Sequence, residues 1–370
     1  MNAPGSPRFI ADSREVAARV AAAVRSEVRA LTAYQVATSD GMIKLDSNES
    51  PYALPEDVRA RLAAALASVP LNRYPDGGAD AVKAALRAAH ALPADAGVVL
   101  GNGSDEILQL ITTTVVKPGA AIVAPDPTFV MYRLYATYAG ARYVPVALRP
   151  DFTLDTEAML AAIDREQPVL VWLASPNNPT ATEFDAHGLE RIVRAAPGLV
   201  AVDEAYFAYA SRTFLPRVLE FPNLVVVRTL SKIGMAGLRL GYAVSHHAWI
   251  DEIDKVRSPY NLNSLTQTAA RFLLADDQAF AGHAAAIRAE RGRVMTAVAR
   301  LPGVKVFDSA ANFFVARFPD GPGAFTTLKT AGILVKNVHG WHPLLAHCLR
   351  ITVGTPDEND ALLAALEKAS

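Results

Sequence analysis

Residues 223–242 read NLVVVRTLSKIGMAGLRLGY. The run Leu224, Val225, Val226 and Val227 is apolar and β-branched with no polar alternation, so it reads as a strand buried on both faces. The chain then turns through Arg228, Thr229, Leu230 and Ser231 onto Lys232, and continues through Gly234, Gly237, Arg239 and Gly241. Such a strand delivers one lysine into a loop of small residues, where backbone approaches closely. An amine so placed suits an aldehyde, and Ser231 with Arg239 suits that aldehyde's phosphate. A Ser-Lys pair after a strand is also common in surface loops, so the stretch gains meaning only from its neighbours.

Working outward, short apolar runs alternate with helical patterns. Strands are expected at 97–100, 121–124, 143–145, 169–174, 199–202, 224–228 and 240–244, with helices at 80–90, 105–116, 159–165 and 186–196 between several of them. Continuous apolar strands separated by helices predict an α/β fold whose mostly parallel sheet is covered by helices on both faces. Beyond residue 265 the texture changes. A long helical pattern, 265–300, leads to strands at 304–307, 313–318, 333–336 and 349–353 and helical patterns at 323–331 and 358–368. This reads as a smaller α+β domain, completed by the amino-terminal segment. The expected organisation is an arm and helix over 1–40, with the helix at 14–30; a segment over 41–75 leading to the small domain; a large domain over 76–264; and a small domain over 265–370.

Composition narrows the function classes. The chain has 370 residues and a net charge of −1, so neither nucleic acid nor an anionic membrane surface is expected as a partner. Cys348 is the only cysteine, which leaves no internal disulfide and suits the cytoplasm. The first fourteen residues carry no apolar signal-peptide core, and no run is long enough to span a bilayer. His339, His342, His347 and Cys348 cluster, but their spacing matches no usual zinc pattern, so no metal is expected. No Gly-x-Ser-x-Gly elbow supports serine hydrolysis.

In an open parallel sheet the ligand site lies at the carboxyl ends of the strands. After the strand at 97–100 come Gly101, Asn102, Gly103, Ser104 and Asp105, opening a helix whose amino terminus makes an anion site; Ser104 as a simple helix cap fits the same residues. Glu106 stands where a dinucleotide fingerprint would want glycine, which weakens a nicotinamide reading. Phe129, after 121–124, would stack on a ring or fill the core. After 169–174, Asn178 lies between prolines as a rigid amide donor. Asp203 ends the strand at 199–202, a costly place for a carboxylate unless a cation such as a protonated pyridine nitrogen meets it. Tyr206 follows three residues on, and would share a phenolate oxygen with Asn178. One ligand satisfies all of these strand ends together with Lys232, Ser231 and Arg239: pyridoxal 5'-phosphate.

Asn178-Pro179, Asp203 to Tyr206, Ser231-Lys232 and Arg239 resemble the fold-type I pyridoxal-phosphate enzymes of the aspartate aminotransferase superfamily. The segments at 72–76 (Asn-Arg-Tyr-Pro-Asp) and 348–352 (Cys-Leu-Arg-Ile-Thr) are more specific, and resemble the histidinol-phosphate aminotransferase family over nearly the whole chain. The resemblance implies transamination of histidinol phosphate with 2-oxoglutarate/glutamate in histidine biosynthesis. It implies a homodimer with shared active sites, in which Tyr74 reaches the neighbouring subunit's cofactor phosphate and Tyr34 approaches substrate across the interface. Arg350 would hold the substrate's far anionic end, with Lys336 and Asn48 as further substrate-binding residues. The chain departs from the family at Ala181, often glycine, and in having Arg239 seven rather than eight residues after Lys232. Lys336 stands where an arginine often binds the substrate phosphate, and keeps the charge without the bidentate fork. An aromatic amino acid aminotransferase, a decarboxylase of phospho-amino acids and a cofactor-bearing regulator share much of this machinery.

Overall fold

The computed structural model describes residues 11–33, 38–275 and 278–368. Met1–Thr38 and Ser39–Ser370 form two units. In the first, the expected helix at 14–30 is two pieces, Ser13–Ala23 and Ser26–Arg29. Asp12 caps the first by accepting from the Arg14 amide at 2.9 Å. It ends at Val24, a β-branched residue in extended conformation, and no residue of either piece is buried. No packed face overrides local preference there.

The second unit contains two sheets. Its strands are β1 Ile43–Leu45, β2 Gly97–Asn102, β3 Ala121–Asp126, β4 Arg142–Ala147, β5 Leu170–Ala174, β6 Leu199–Asp203, β7 Leu224–Thr229, β8 Leu240–Ser245, β9 Lys305–Val306, β10 Phe313–Arg317, β11 Ile333–Asn337 and β12 Cys348–Thr352. The larger sheet has the order β2-β8-β7-β6-β5-β3-β4. Its strands run parallel except β8, which is antiparallel to both β2 and β7. The mostly parallel α/β sheet read from the apolar strands is therefore present. Successive residues of a strand point to opposite faces, and here both faces are packed. Val200 and Val202 of β6 join Val171, Leu173, Leu224 and Val226 in one apolar cluster. Leu199 and Ala201 join Trp172, Val225, Val227 and Tyr132 in another. Each of these valines and leucines contributes about 1.5–3 kcal/mol by leaving water, which is why strands with no polar face are stable only in this layered arrangement.

The smaller sheet has the order β1-β11-β12-β10-β9. Its first strand comes from far upstream: β1 pairs in parallel with β11, Ile43 opposite Ile333. The long helical pattern at 265–300 is two helices, Ser264–Leu274 and Gln278–Val298. Asn263 caps the first by accepting from the Thr266 amide at 2.9 Å. Among the described residues no helix is long and apolar enough to cross a membrane, and no group of three or more His, Cys, Asp or Glu is placed to hold a metal ion.

Candidate active site

The carboxyl ends of β5, β6 and β7 carry the residues singled out in the sequence. Asp203 closes β6 opposite Ala174 of β5. Alternation along β6 turns its carboxylate to the face shared by Trp172 and Tyr132. There Oδ2 accepts from the Tyr132 hydroxyl at 2.8 Å and Oδ1 from the Ala205 amide at 3.0 Å. Burial pushes the carboxyl pKa up to about 6, against the opposing pull of these two hydrogen bonds. Among the described residues no cation pairs with it. A carboxylate 4% exposed and lacking a counter-charge fits a ligand that brings a positive, ring-borne N–H.

Neighbouring Glu204 contrasts with it. Its carboxylate accepts from Arg228 of β7 at 2.8 and 3.0 Å and from Thr213, and the guanidinium lies 4.3 Å over the Phe207 ring. This buried pair is satisfied within the protein and needs no ligand.

Lys232 follows β7 in a single helical turn, Ser231–Ile233. Its Nζ donates to the Ser47 carbonyl at 3.3 Å, and its own carbonyl accepts from the Tyr209 hydroxyl at 2.7 Å. Burial and then the nearby Arg350 charge bring the ammonium down to a pKa of about 8, so about a tenth of it is neutral at pH 7.

Close by, Arg239 occupies the left-handed region at φ 51° and donates to Ser231 Oγ at 3.3 Å and Asp105 Oδ2 at 3.4 Å. The helix Ser104–Val115 starts against it. Its amino-terminal cap is Gly103, at φ 83°, and Ser104 is the first helical residue. The alternative reading of Ser104 as the cap is thereby corrected: glycine tolerates the positive φ, and a Cβ on Gly103 would lie 2.5 Å from the Arg239 guanidinium. Gly241 of β8 pairs with Gly101 of β2, and a Cβ on Gly241 would overlap the Ser104 amide. The helix start at Ser104, Ser231 and Arg239 thus lie close together, the donor types that suit a phosphate.

Phe129 precedes the helix Val130–Tyr138, half-buried, its ring edge-on to Tyr132 at 5.8 Å. Asn178 accepts through Oδ1 from Arg350 Nη1 at 2.7 Å. No described residue accepts from its Nδ2, which leaves that amide as a donor. Tyr206 is buried beneath, its oxygen accepting from Asn48 Nδ2 at 2.9 Å, and burial raises its phenol to about 12.

From the smaller sheet, Arg350 of β12 also donates to the Asp46 carbonyl at 2.5 Å and lies 5.4 Å over Phe313. Lys336 of β11 stands directly opposite it in register. Asn48 ties the sheets together: its amide donates to Thr352 Oγ1 at 3.0 Å while its side chain reaches Tyr206. Tyr74 is not drawn in. It is 81% exposed and stacked on Tyr260 with centroids 4.6 Å apart. Tyr34 lies outside the described residues.

Sequence reasoning missed three residues. Tyr132, stacked on Trp172 at 4.8 Å, is one helical turn beyond Phe129. Tyr209 is three residues beyond Tyr206, and Thr352 is two beyond Arg350 on the same face of β12. Tyr209 and Thr352 were findable as the next residue on the face of one already chosen.

Fold and site together define a transaminase scaffold: a profile of the aminotransferase class I and II family matches residues 40–366. The chain is 54% identical over 345 residues to a histidinol-phosphate aminotransferase of Chromobacterium violaceum, covering 93% of this chain and 97% of that one. Among solved structures, a histidinol-phosphate aminotransferase of Sinorhizobium meliloti in complex with pyridoxal 5'-phosphate superposes with a TM-score of 0.84 at 27% identity, over 94% of this chain and 97% of that chain. An aspartate aminotransferase variant of Thermus thermophilus shares the fold, with a TM-score of 0.75 at 22% identity, over 94% of this chain and 99% of that chain. This chain belongs to the histidinol-phosphate aminotransferase family.

Proposed function

We propose that this chain transfers an amino group between histidinol phosphate and 2-oxoglutarate, within histidine biosynthesis, on pyridoxal 5'-phosphate held at Lys232. The observation that carries the reading is Lys232, its pKa lowered by burial and by the nearby Arg350 charge, together with a buried Asp203 that no described cation pairs. The bound cofactor supplies an aldehyde for amines and a ring that accepts the electron pair left when a substrate Cα–H is broken.

The chain's own residues do the rest. Ser104, Asp105 through its backbone, Ser231 and Arg239 hold the phosphate, and Phe129 covers the ring. Asp203 keeps the ring nitrogen protonated, at a position where its carboxylate otherwise has only hydrogen bonds. Asn178 Nδ2 and the Tyr206 hydroxyl hold the phenolate oxygen. Lys232, with its lowered pKa, takes the substrate's Cα proton as a neutral amine and returns it as an ammonium. Arg350 receives the substrate phosphate or the carboxylate of glutamate and Lys336 joins it on the phosphate, while Asn48 fixes Tyr206 from the small-sheet side.

We also propose a homodimer in which Tyr74 completes the partner's phosphate site. Its support is an aromatic pair, Tyr74 on Tyr260, left exposed with Leu71 76% exposed in the same stretch. The division into an N-terminal arm and helix over 1–40, a segment over 41–75 linking to the small domain and the dimer partner, a large domain over 76–264 and a small one over 265–370 belongs to the same proposal. The cytoplasm as compartment is supported by the single, buried Cys348.

The test is an absorbance spectrum of the purified protein with pyridoxal phosphate, before and after histidinol phosphate, with product formation followed in parallel. A band above roughly 400 nm that bleaches with histidinol phosphate is expected. Bleaching by aromatic amino acids alone would overturn the substrate. Lys232→Ala should lose turnover by at least about 10⁴-fold, and normal turnover in that variant would overturn the whole assignment.

A further inference from the structure

We propose that Trp341 is a positioning residue for Lys336, aiming its ammonium at the phosphate monoester of the substrate and so favouring phosphorylated over unphosphorylated amino donors. The inference rests on the reading of the Lys336 and Arg350 face as the substrate's anion site.

Lys336 and Arg350 are register partners in the antiparallel β11/β12 pair. Partners in such a pair share one face of the sheet with neighbouring Cβ atoms. Arg350 reaches Asn178 at 2.7 Å, so that face looks onto the cleft. A lysine carries its charge on a flexible four-carbon stem, and without a restraint it loses entropy each time it must meet an anion. Here the restraint is a ring: Lys336 Nζ lies 5.8 Å from the Trp341 centroid. Among the described residues no carboxylate pairs with Lys336. An aromatic face orients an ammonium without neutralising it, which keeps the charge available for an incoming phosphate; a carboxylate would compete with the ligand.

The placement of the indole is itself built. Trp341 follows Gly340, at φ 84°, and its amide closes a turn onto the Val338 carbonyl at 3.2 Å. Next in sequence, His342 Nε2 lies 3.9 Å from Asp126 Oδ2, so the loop runs alongside the end of β3. An indole 52% exposed would otherwise leave a large apolar surface in water without return. The tryptophan also answers the loss of the arginine fork at position 336, since a point charge held in place recovers part of what a planar fork provides.

The experiment is steady-state kinetics on the holoenzyme with histidinol phosphate and with glutamate as separate amino donors. Trp341→Leu should raise KM for histidinol phosphate about two- to fivefold, the range for an exposed cation–π contact, with kcat and the glutamate KM held. Trp341→Phe, which keeps a ring, should restore most of the loss. In a Lys336→Met background Trp341→Leu should add nothing. An unchanged KM, or an equal rise for glutamate, would overturn the proposal. So would a full effect of Trp341→Leu in the Lys336→Met background, because the indole would then touch substrate directly. Failure of the unaltered enzyme to use histidinol phosphate is a different result, and overturns the proposed function along with the inference built on it.

Discussion

Burial shifts Asp203 up and Lys232 down, and each gives a pH-dependent expectation. In the folded chain the Asp203 carboxyl is raised from 3.8 to about 6. A raised acid contributes stability that is complete below the unfolded value and is lost as pH rises through the folded one. The cofactor-free protein should therefore lose on the order of 2–3 kcal/mol between pH 4 and pH 7 from this group. Asp203→Asn should remove that dependence, making the cofactor-free protein more heat-stable at pH 7 while abolishing activity. Calorimetry at the two pH values checks it, and equal melting temperatures for variant and parent at pH 7 would contradict it. For Lys232, the neutral amine grows as pH rises through about 8. Uptake of pyridoxal phosphate by the cofactor-free chain should accelerate across that interval, as stopped-flow absorbance would record. Tyr132→Phe should raise the Asp203 pKa further by deleting the 2.8 Å hydrogen bond, weakening the cofactor's hold roughly tenfold, with Trp172 still packed against the ring. Asp203 was legible because a carboxylate at the end of an apolar strand demands an explanation. Tyr132 was not, because a tyrosine inside an apolar helix is ordinarily a core residue and only coordinates reveal what its hydroxyl touches.

At the scale of elements, β7 and β6 were readable in outline because a strand buried on both faces leaves no polar residue until it ends. The helix expected at 14–30 was not, since its alanines and valines specify helical propensity but no partner, and the break at Val24 carries no strong signal. The pairing of Lys336 with Arg350 was equally hidden: antiparallel register depends on the loop between the strands, here one containing Gly340 and Trp341. The contact of β8 with the helix Ser104–Val115 supplies a prediction at this scale. Gly241→Ala places a methyl on the Ser104 amide, so the strand or the helix start must shift. The expected cost is about 2–4 kcal/mol in stability, together with weaker cofactor binding. Chemical denaturation and cofactor titration read the two effects, and a variant with parental values in both would show that the helix start yields freely.

For the whole molecule, the proposed sharing of sites makes a prediction that no single chain can satisfy. Lys232→Ala and Tyr74→Ala proteins should each be nearly inactive. Unfolded together and refolded as a mixture, they should recover activity, because one site of the mixed dimer then holds both an intact Lys232 and an intact Tyr74. No recovery, with dimers present by sedimentation, would contradict sharing.

The two hydrogen bonds between Asn48 and Thr352 span 304 positions of sequence. During synthesis the ribosome finishes the larger sheet, with Lys232 and Arg239 beside it, long before Thr352 leaves the exit tunnel. Until then Asn48 lacks its Thr352 partner, and β1 waits beside the growing chain for a neighbour made about 290 residues later. A nascent chain stalled before β12 would therefore carry Lys232 and Asp203 and yet lack Arg350, so that the proposed site is complete only once β12 is made rather than growing with length.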